Sequence, residues 1–227
     1  MSATTNISEP AAILFDLDGT LLDTADDLGA ALNHVLAEVG LPLMSADQYR
    51  PVTSDGALGL LQLGFGSQLN DFNYHKLREK LLTYYQQHIA HHTKLYAQIA
   101  KLLTIIENAH IPWGIITNKP EQLTQRLLPA FPEFNRCAIM LGGDSLAKRK
   151  PDPLPLLVAC ETLAVPANRC FYIGDAERDI LAGNNANMTT FIAGWGYIKN
   201  SDNLANWKAD HHLLTPLNLL PYIFPTN

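Results

Sequence analysis

The stretch Ala11-Ala12-Ile13-Leu14-Phe15-Asp16-Leu17-Asp18-Gly19-Thr20 decides how this chain is read. Five apolar residues run without interruption and stop at acids and a glycine, the pattern of a buried strand that ends in a functional loop. Residues two apart in extended backbone project to the same side, so Asp16 and Asp18 offer two carboxylates to one site. Such a pair permits a division of labour. One carboxylate can be a nucleophile that takes up a phosphoryl group, while the other protonates the leaving oxygen and later takes a proton from water. Gly19 lets the backbone turn sharply beside them. The specific rival is a calcium-binding loop starting at Asp16, which would need a glycine where Leu21 stands, an acid at Asp27 and a helix before it; only the acid is present.

Downstream, Leu28, Ala31, Leu32, Val35 and Val39 recur at helical spacing, with Thr24 or Asp26 as caps and Gly40 with Pro42 as the stop. Ser45 to Gln62 and Asn73 to His91 also read as helices, broken at Gly64-Phe65-Gly66, and no strand is expected in this block. The pattern then alternates. Helices are expected over 97–109, 121–130, 153–163 and 178–185, and strands over 113–117, 138–141, 170–173 and 189–192. Alternation of this kind predicts an α/β fold, a doubly wound parallel sheet with a helical cap inserted after the first strand. The expected division is a catalytic core of residues 1–22 and 97–227 and a cap of residues 23–96.

Two further strand ends and the segment before a helix carry chemistry. Thr117-Asn118-Lys119 supplies a hydroxyl, an amide and a backbone N–H suited to phosphate, or else the start of a capped helix. Lys148, Arg149 and Lys150 precede Pro151, and the sequence chemistry alone does not choose which of the three cations serves a site. Gly174-Asp175 and Asp179 place two acids four apart, on one face of a helix start; with Asp16 they could build an oxygen-rich site for Mg²⁺.

The ordered set Asp16-Leu17-Asp18-Gly19-Thr20, Thr117-Asn118-Lys119, Lys150-Pro151 and Gly174-Asp175 with Asp179 resembles the four motifs of the haloacid dehalogenase superfamily, across roughly residues 12–200. The resemblance implies Asp16 as nucleophile, Asp18 as general acid/base, and Thr117 and Lys150 on the transferring phosphoryl group, with Asn118 and Lys119 as secondary substrate contacts. It implies Mg²⁺ held by Asp16, the Asp18 main-chain carbonyl, Asp175 and Asp179. Ala176 departs from the polar residue often found at its position. Within the superfamily the chain is similar to phosphoglycolate phosphatases and, through His92-Thr93-Lys94-Leu95, Trp113 to Pro120, Gly196-Tyr197-Ile198 and Asn206-Trp207, to N-acetylmuramic acid 6-phosphate phosphatases. Arg50 and the turn Ser54-Asp55-Gly56-Ala57 resemble the specificity loop, with Asp55 where small glycines are common; Arg50 and Asp55 are the expected cap contacts to substrate.

Composition sets the outer bounds. With 227 residues, 47% hydrophobic and 17% charged, the chain can bury a large core, and a net charge of −6 without a dense Lys/Arg stripe argues against nucleic acid or an anionic membrane as partner. Residues 1–10 lack a secretory signal pattern and no apolar run approaches the roughly 20 residues of a membrane span, so a cytoplasmic location is expected. Cys137, Cys160 and Cys170 read as reduced thiols, and His88, His91 and His92 as a solvated helix end rather than metal ligands. The expected partner is a small phosphorylated metabolite; the sequence sets no oligomeric state. Hydrolysis of N-acetylmuramic acid 6-phosphate through an aspartyl-phosphate is the leading functional expectation. Alternatives are a 2-phosphoglycolate phosphatase, a phosphosugar mutase of the same superfamily, and a catalytically silent phospho-ligand binding protein.

Overall fold

A computed structural model describes residues 9–225. Strand β1 (Ala12–Phe15) is fully buried and runs into the short β2 (Leu22–Asp23), from which helix α1 (Ala25–Glu38) departs. Ala25, Leu28, Ala31, Leu32, Val35 and Leu36 form the buried stripe of α1, and burying each large side chain contributes about 1.5–3 kcal/mol. The expected helix over 45–62 is divided into α2 (Ala46–Tyr49), a 3₁₀ turn (Arg50–Asp55) and α3 (Gly56–Phe65). Pro51 removes an N–H from that turn, and Gly56 makes the corner with φ +66°. Asn73 caps α4 (Tyr74–Gln87), its side chain accepting from the Lys76 N–H, and Leu77, Leu81 and Tyr85 are its buried face. These helices share one apolar core, in which the Tyr49 ring lies over Gly29 so closely that a Cβ there would stand 2.5 Å from ring carbons.

The chain returns through β3 (Lys94–Leu95), which pairs antiparallel with β2. This two-stranded ribbon was not expected from the sequence, because two-residue strands carry no periodicity. The alternating part follows: α5 (Ile99–Asn108), β4 (Trp113–Ile116), α6 (Glu121–Leu127), β5 (Ile139–Leu141), α7 (Leu154–Leu163), β6 (Cys170–Gly174), α8 (Glu177–Asn185) and β7 (Thr189–Ala193). The helix expected over 121–130 tightens to 3₁₀ at Leu128, beside Pro129. Beyond these lie β8 (His211–Leu213), which the sequence pattern did not signal, and α9 (Leu220–Ile223).

Six strands form one parallel sheet in the order β5-β4-β1-β6-β7-β8. The chain moves outward from β1 on one side, through β4 and β5, and returns to the other side at β6. The carboxyl end of β1 is therefore the switch point, where such sheets form a crevice. One face of the sheet packs Phe15, Ile115, Ile173 and Phe191 on α5 residues; the other packs Leu14, Ile116 and Tyr172 on α7 and α8. Among the described residues, no helix is long and apolar enough to cross a membrane.

Candidate active site

The switch point gathers polar residues from three adjacent strand ends. Asp16 and Asp18 follow β1, Thr117 to Lys119 follow β4, and Asp175 follows β6, with Asp179 in the first turn of α8. Asp16, Asp175 and Asp179 are buried, and each offers a carboxylate oxygen within 4.8 Å of the others. Close backbone approach makes this packing possible: a Cβ on Gly19 (φ +88°) would stand 2.1 Å from Asp175 Oδ2, and one on Gly196 would stand 2.3 Å from Asp175 Cβ.

Lys150 answers this negative charge. Only 2% exposed, its ammonium lies 2.9 Å from Asp16 Oδ1 and 2.7 Å from Asp179 Oδ1, and donates to Ile116 O (2.8 Å) and Tyr172 OH (2.7 Å). The two carboxylate contacts are charge pairs that miss hydrogen-bond alignment, so neither oxygen has a directed donor. The other two candidate cations sit elsewhere: Lys148 pairs with Asp152 at 2.9 Å, and Arg149 lines the cavity described below. One lysine does not balance three acids. Burial, reinforced by Asp16 and Asp179, pushes the Asp175 carboxyl up to about 7, and burial likewise raises Asp179.

Asp18 occupies a different setting. Its Oδ1 accepts from Thr24 Oγ1 (2.7 Å) and from Lys119 Nζ (3.0 Å). Burial works against the Lys119 charge, but Asp18 and Tyr85 outweigh it and hold the lysine above its ordinary value. Lys119 Nζ also lies 4.4 Å from the Tyr85 ring centroid, and burial pushes the Tyr85 hydroxyl up to about 12. Thr117 is buried, its hydroxyl accepting from the Lys119 N–H, and Asn118 Nδ2 donates to Lys150 O. Asp18→Asn should lower turnover by roughly 10²- to 10⁴-fold, the range for general acid/base catalysis. A rate equal to wild type across the pH range would remove Asp18 from that role.

The helical block closes over these groups. Ser54 donates to Asp175 Oδ2 at 2.8 Å, and Asp55 pairs with Lys199 at 2.6 Å. Tyr197 ties both parts together: its N–H donates to Asp175 Oδ2, and its hydroxyl accepts from the Thr24 and Ala25 N–H groups and donates to Asp23. The resulting cavity of about 580 Å³ is lined by Asp16, Asp18, Thr117, Asn118, Lys119, Lys150 and Asp55, together with residues of α1, α3 and α4. Arg50 does not line it. Its guanidinium is engaged by Asp23 and by Asp26 (2.9 Å), so the expected cap contact to substrate is replaced here by an internal ion pair.

Polar accounting isolates the same place. Among the described residues, the buried side-chain atoms without a hydrogen-bond partner are Asp16 Oδ1, Asp179 Oδ1, Asn118 Oδ1, Tyr85 OH and Arg178 Nε. Four of these residues line the cavity and the fifth belongs to the acid cluster. Folded proteins satisfy almost all such groups internally, so a concentration of exceptions marks a surface arranged for a ligand. Tyr85 and Arg178 were given no role from the sequence, since no motif spacing distinguishes them from solvated or core residues, and Ser54 was singled out only as part of a turn, not as a donor to Asp175.

Three buried acids whose carboxylate oxygens lie within 4.8 Å of one another fit a hard divalent cation, whose oxygen ligands they would supply. A thermal consequence follows. Asp175 binds its proton more tightly folded than at its ordinary 3.8, so between these values the native state holds more protons than the unfolded chain. Stability from this group therefore declines as pH rises from about 4 to about 7 in metal-free buffer, and a bound divalent cation should reverse that decline. Melting temperatures with and without Mg²⁺ at about pH 5 and about pH 8 check this; equal Mg²⁺ stabilisation at both would refute it.

Comparison with known proteins gives this geometry a family. The family model described as "Haloacid dehalogenase-like hydrolase" matches residues 13–193. The chain belongs to the haloacid dehalogenase-like hydrolases. It is 44% identical over 201 residues to a phosphoglycolate phosphatase of Xanthomonas campestris, covering 88% of this chain and 90% of the relative. It is 39% identical over 199 residues to an N-acetylmuramic acid 6-phosphate phosphatase of Pseudomonas aeruginosa, covering 88% of each. The crystal structure of a predicted phosphoglycolate phosphatase from Haemophilus somnus superposes with a TM-score of 0.85 at 26% identity, covering 95% of this chain and 98% of that one. This hydrolase is a phosphatase, a phosphoric monoester hydrolase built on the family's α/β core.

Proposed function

We propose that this phosphatase hydrolyses N-acetylmuramic acid 6-phosphate. The observation that carries the reading is the cavity: about 580 Å³, floored by Asp16 and Lys150, and walled above by Leu28, Leu58, Tyr74, Leu82 and Leu123. 2-Phosphoglycolate has one methylene between its two charged groups and would leave that wall uncovered. A sugar ring with an acetamide can bury the wall and use the remote binding energy to hold the phosphate for attack. Both activities occur among the relatives, so the choice rests on this wall.

In the proposed cycle a carboxylate oxygen of Asp16 attacks phosphorus in line, the P–O bond to the sugar breaks, and Asp18 protonates the leaving oxygen. Lys150 and Thr117 hold the phosphoryl oxygens as charge shifts onto them. Asp18 then takes a proton from water, which attacks the aspartyl-phosphate and releases phosphate and free Asp16. Asp16, Asp175, Asp179 and the Asp18 main-chain carbonyl would hold Mg²⁺, whose charge would offset the repulsion between these acids and a phosphate dianion. Residues 23–96 act as a cap on a core of 1–22 and 97–227, turning at 23–26 and 94–97. Ser54 and Asp55 fasten it when closed, so that water is excluded during the first transfer.

Steady-state kinetics on both compounds at one Mg²⁺ concentration test the substrate. The expected kcat/KM for N-acetylmuramic acid 6-phosphate exceeds that for 2-phosphoglycolate by about tenfold or more, a difference of about 1.4 kcal/mol. The opposite order would assign the smaller acid as substrate.

A further inference from the structure

The charges of the cavity do not balance among themselves. Each of its acids has a lysine: Asp16 has Lys150 at 2.9 Å, Asp18 has Lys119 at 3.0 Å, and Asp55 has Lys199 at 2.6 Å. Three arginines remain on the lining. Arg178 faces compensating charge, since Asp179, Asp16, Asp175 and Asp55 all favour its protonated form against the cost of burial. Arg78 and Arg149 have no carboxylate within 4.0 Å among the described residues.

Their placement is as informative as their lack of partners. Arg78 stands on α4 and Arg149 on the loop before α7, one residue from Lys150, so the pair reaches one cavity from the helical block and from the sheet side. Helical neighbours that could neutralise Arg78 are Tyr74, His75, Leu81 and Leu82, none acidic. Near Arg149, Lys148 already holds Asp152. Both arginines are exposed, whereas Lys150 is buried, which sets them toward the mouth and Lys150 at the floor. A phosphate seated on Lys150 leaves these two guanidinium forks free for a second anionic group at the other end of the same molecule.

We infer that Arg78 and Arg149 form a carboxylate subsite at the cavity mouth, selecting sugar phosphates that carry an acid far from the phosphate. The inference rests on the proposed sugar-phosphate substrate and gives Arg78 and Arg149 the part expected of Arg50. The test compares N-acetylmuramic acid 6-phosphate with N-acetylglucosamine 6-phosphate, which keeps the ring, acetamide and phosphate but lacks the lactyl acid. Wild type favours the acidic sugar. Arg78→Gln and Arg149→Gln should each lower the ratio of the two kcat/KM values by about tenfold or more, with the loss in KM, as for a lost charge-assisted hydrogen bond. Arg78→Lys, which keeps the charge without the fork, should give an intermediate ratio, and melting temperatures establish that the variants fold.

A wild-type enzyme without preference for the acid, a ratio unchanged in both Gln variants, or an equal fall on both sugars would overturn the subsite. The same ratio can be read from inhibition constants of the two compounds against an aryl phosphate. If neither sugar phosphate is a substrate, the proposed function fails while the subsite is still judged by that inhibition ratio.

Discussion

Asp16→Asn abolishes phosphate release, by about 10⁴-fold or more, while leaving the fold intact or more stable than wild type in metal-free buffer. The activity loss follows from chemistry, because an amide does not add to phosphorus. The stability result follows from charge. Asp16 is one of three buried acids that face Lys150 and the Arg178 guanidinium, and its presence helps raise the Asp175 carboxyl to about 7. Removing one negative charge leaves Lys150 paired with Asp179 at 2.7 Å and relieves Asp175. Phosphate assays with purified protein and melting curves in chelator check the two halves. Appreciable turnover would dismiss Asp16 as the nucleophile, and a large fall in melting temperature would dismiss the charge argument.

Lys150→Ala is expected to damage both fold and activity. Breaking a buried ion pair by removing one partner leaves uncompensated charge and costs about 3–5 kcal/mol. Here the loss leaves Asp16 and Asp179 together without the ammonium between them and removes its donations to Ile116 O, which keeps Tyr172 OH as a donor, and to Tyr172 OH. Turnover should fall by about 10²- to 10³-fold, the usual consequence of deleting a group that stabilises developing charge. Acid should partly rescue the fold, since Asp175 and Asp179, already raised by burial, accept protons more readily without the lysine. Denaturant unfolding at two pH values measures this. A variant as stable as wild type at neutral pH would show that Lys150 does not hold these acids in place.

The parts of the fold that were legible in the sequence were those in which a short apolar run ends abruptly in polar residues. β1, β4 and β6 announce themselves in this way, and so do Asp16, Asp18, Thr117 and Asp175 at their ends. What was not legible depends on partners far apart in the chain. Tyr197 takes the N–H groups of Thr24 and Ala25, some 170 residues away, where the Thr24 side chain makes no capping bond and Asp23 accepts from Ala25 only at 3.4 Å. Ser54 reaches Asp175 across 121 positions. The expected role of Arg50 met a related obstacle: its position before the Ser54 to Ala57 turn is visible, but not that Asp23 and Asp26, 27 and 24 residues earlier, fold back to meet it. β8, with the sequence His-His-Leu, has too few residues to show a period and joins the sheet only because β7 offers an open edge.

The ribbon of β2 and β3 has a consequence for the helical block. Leu22 faces Leu95 and Asp23 faces Lys94, so the polypeptide leaves and re-enters the sheet side at neighbouring points, one strand spacing of about 4.8 Å apart. Topologically, everything between them is the tip of a hairpin. Whatever folds with its own ends that close can be exchanged there without disturbing the strand order beneath, and the entropic cost of closing a longer insert grows only slowly with its length. The helical block could thus be exchanged as a unit while the acids at the switch point stay as they are.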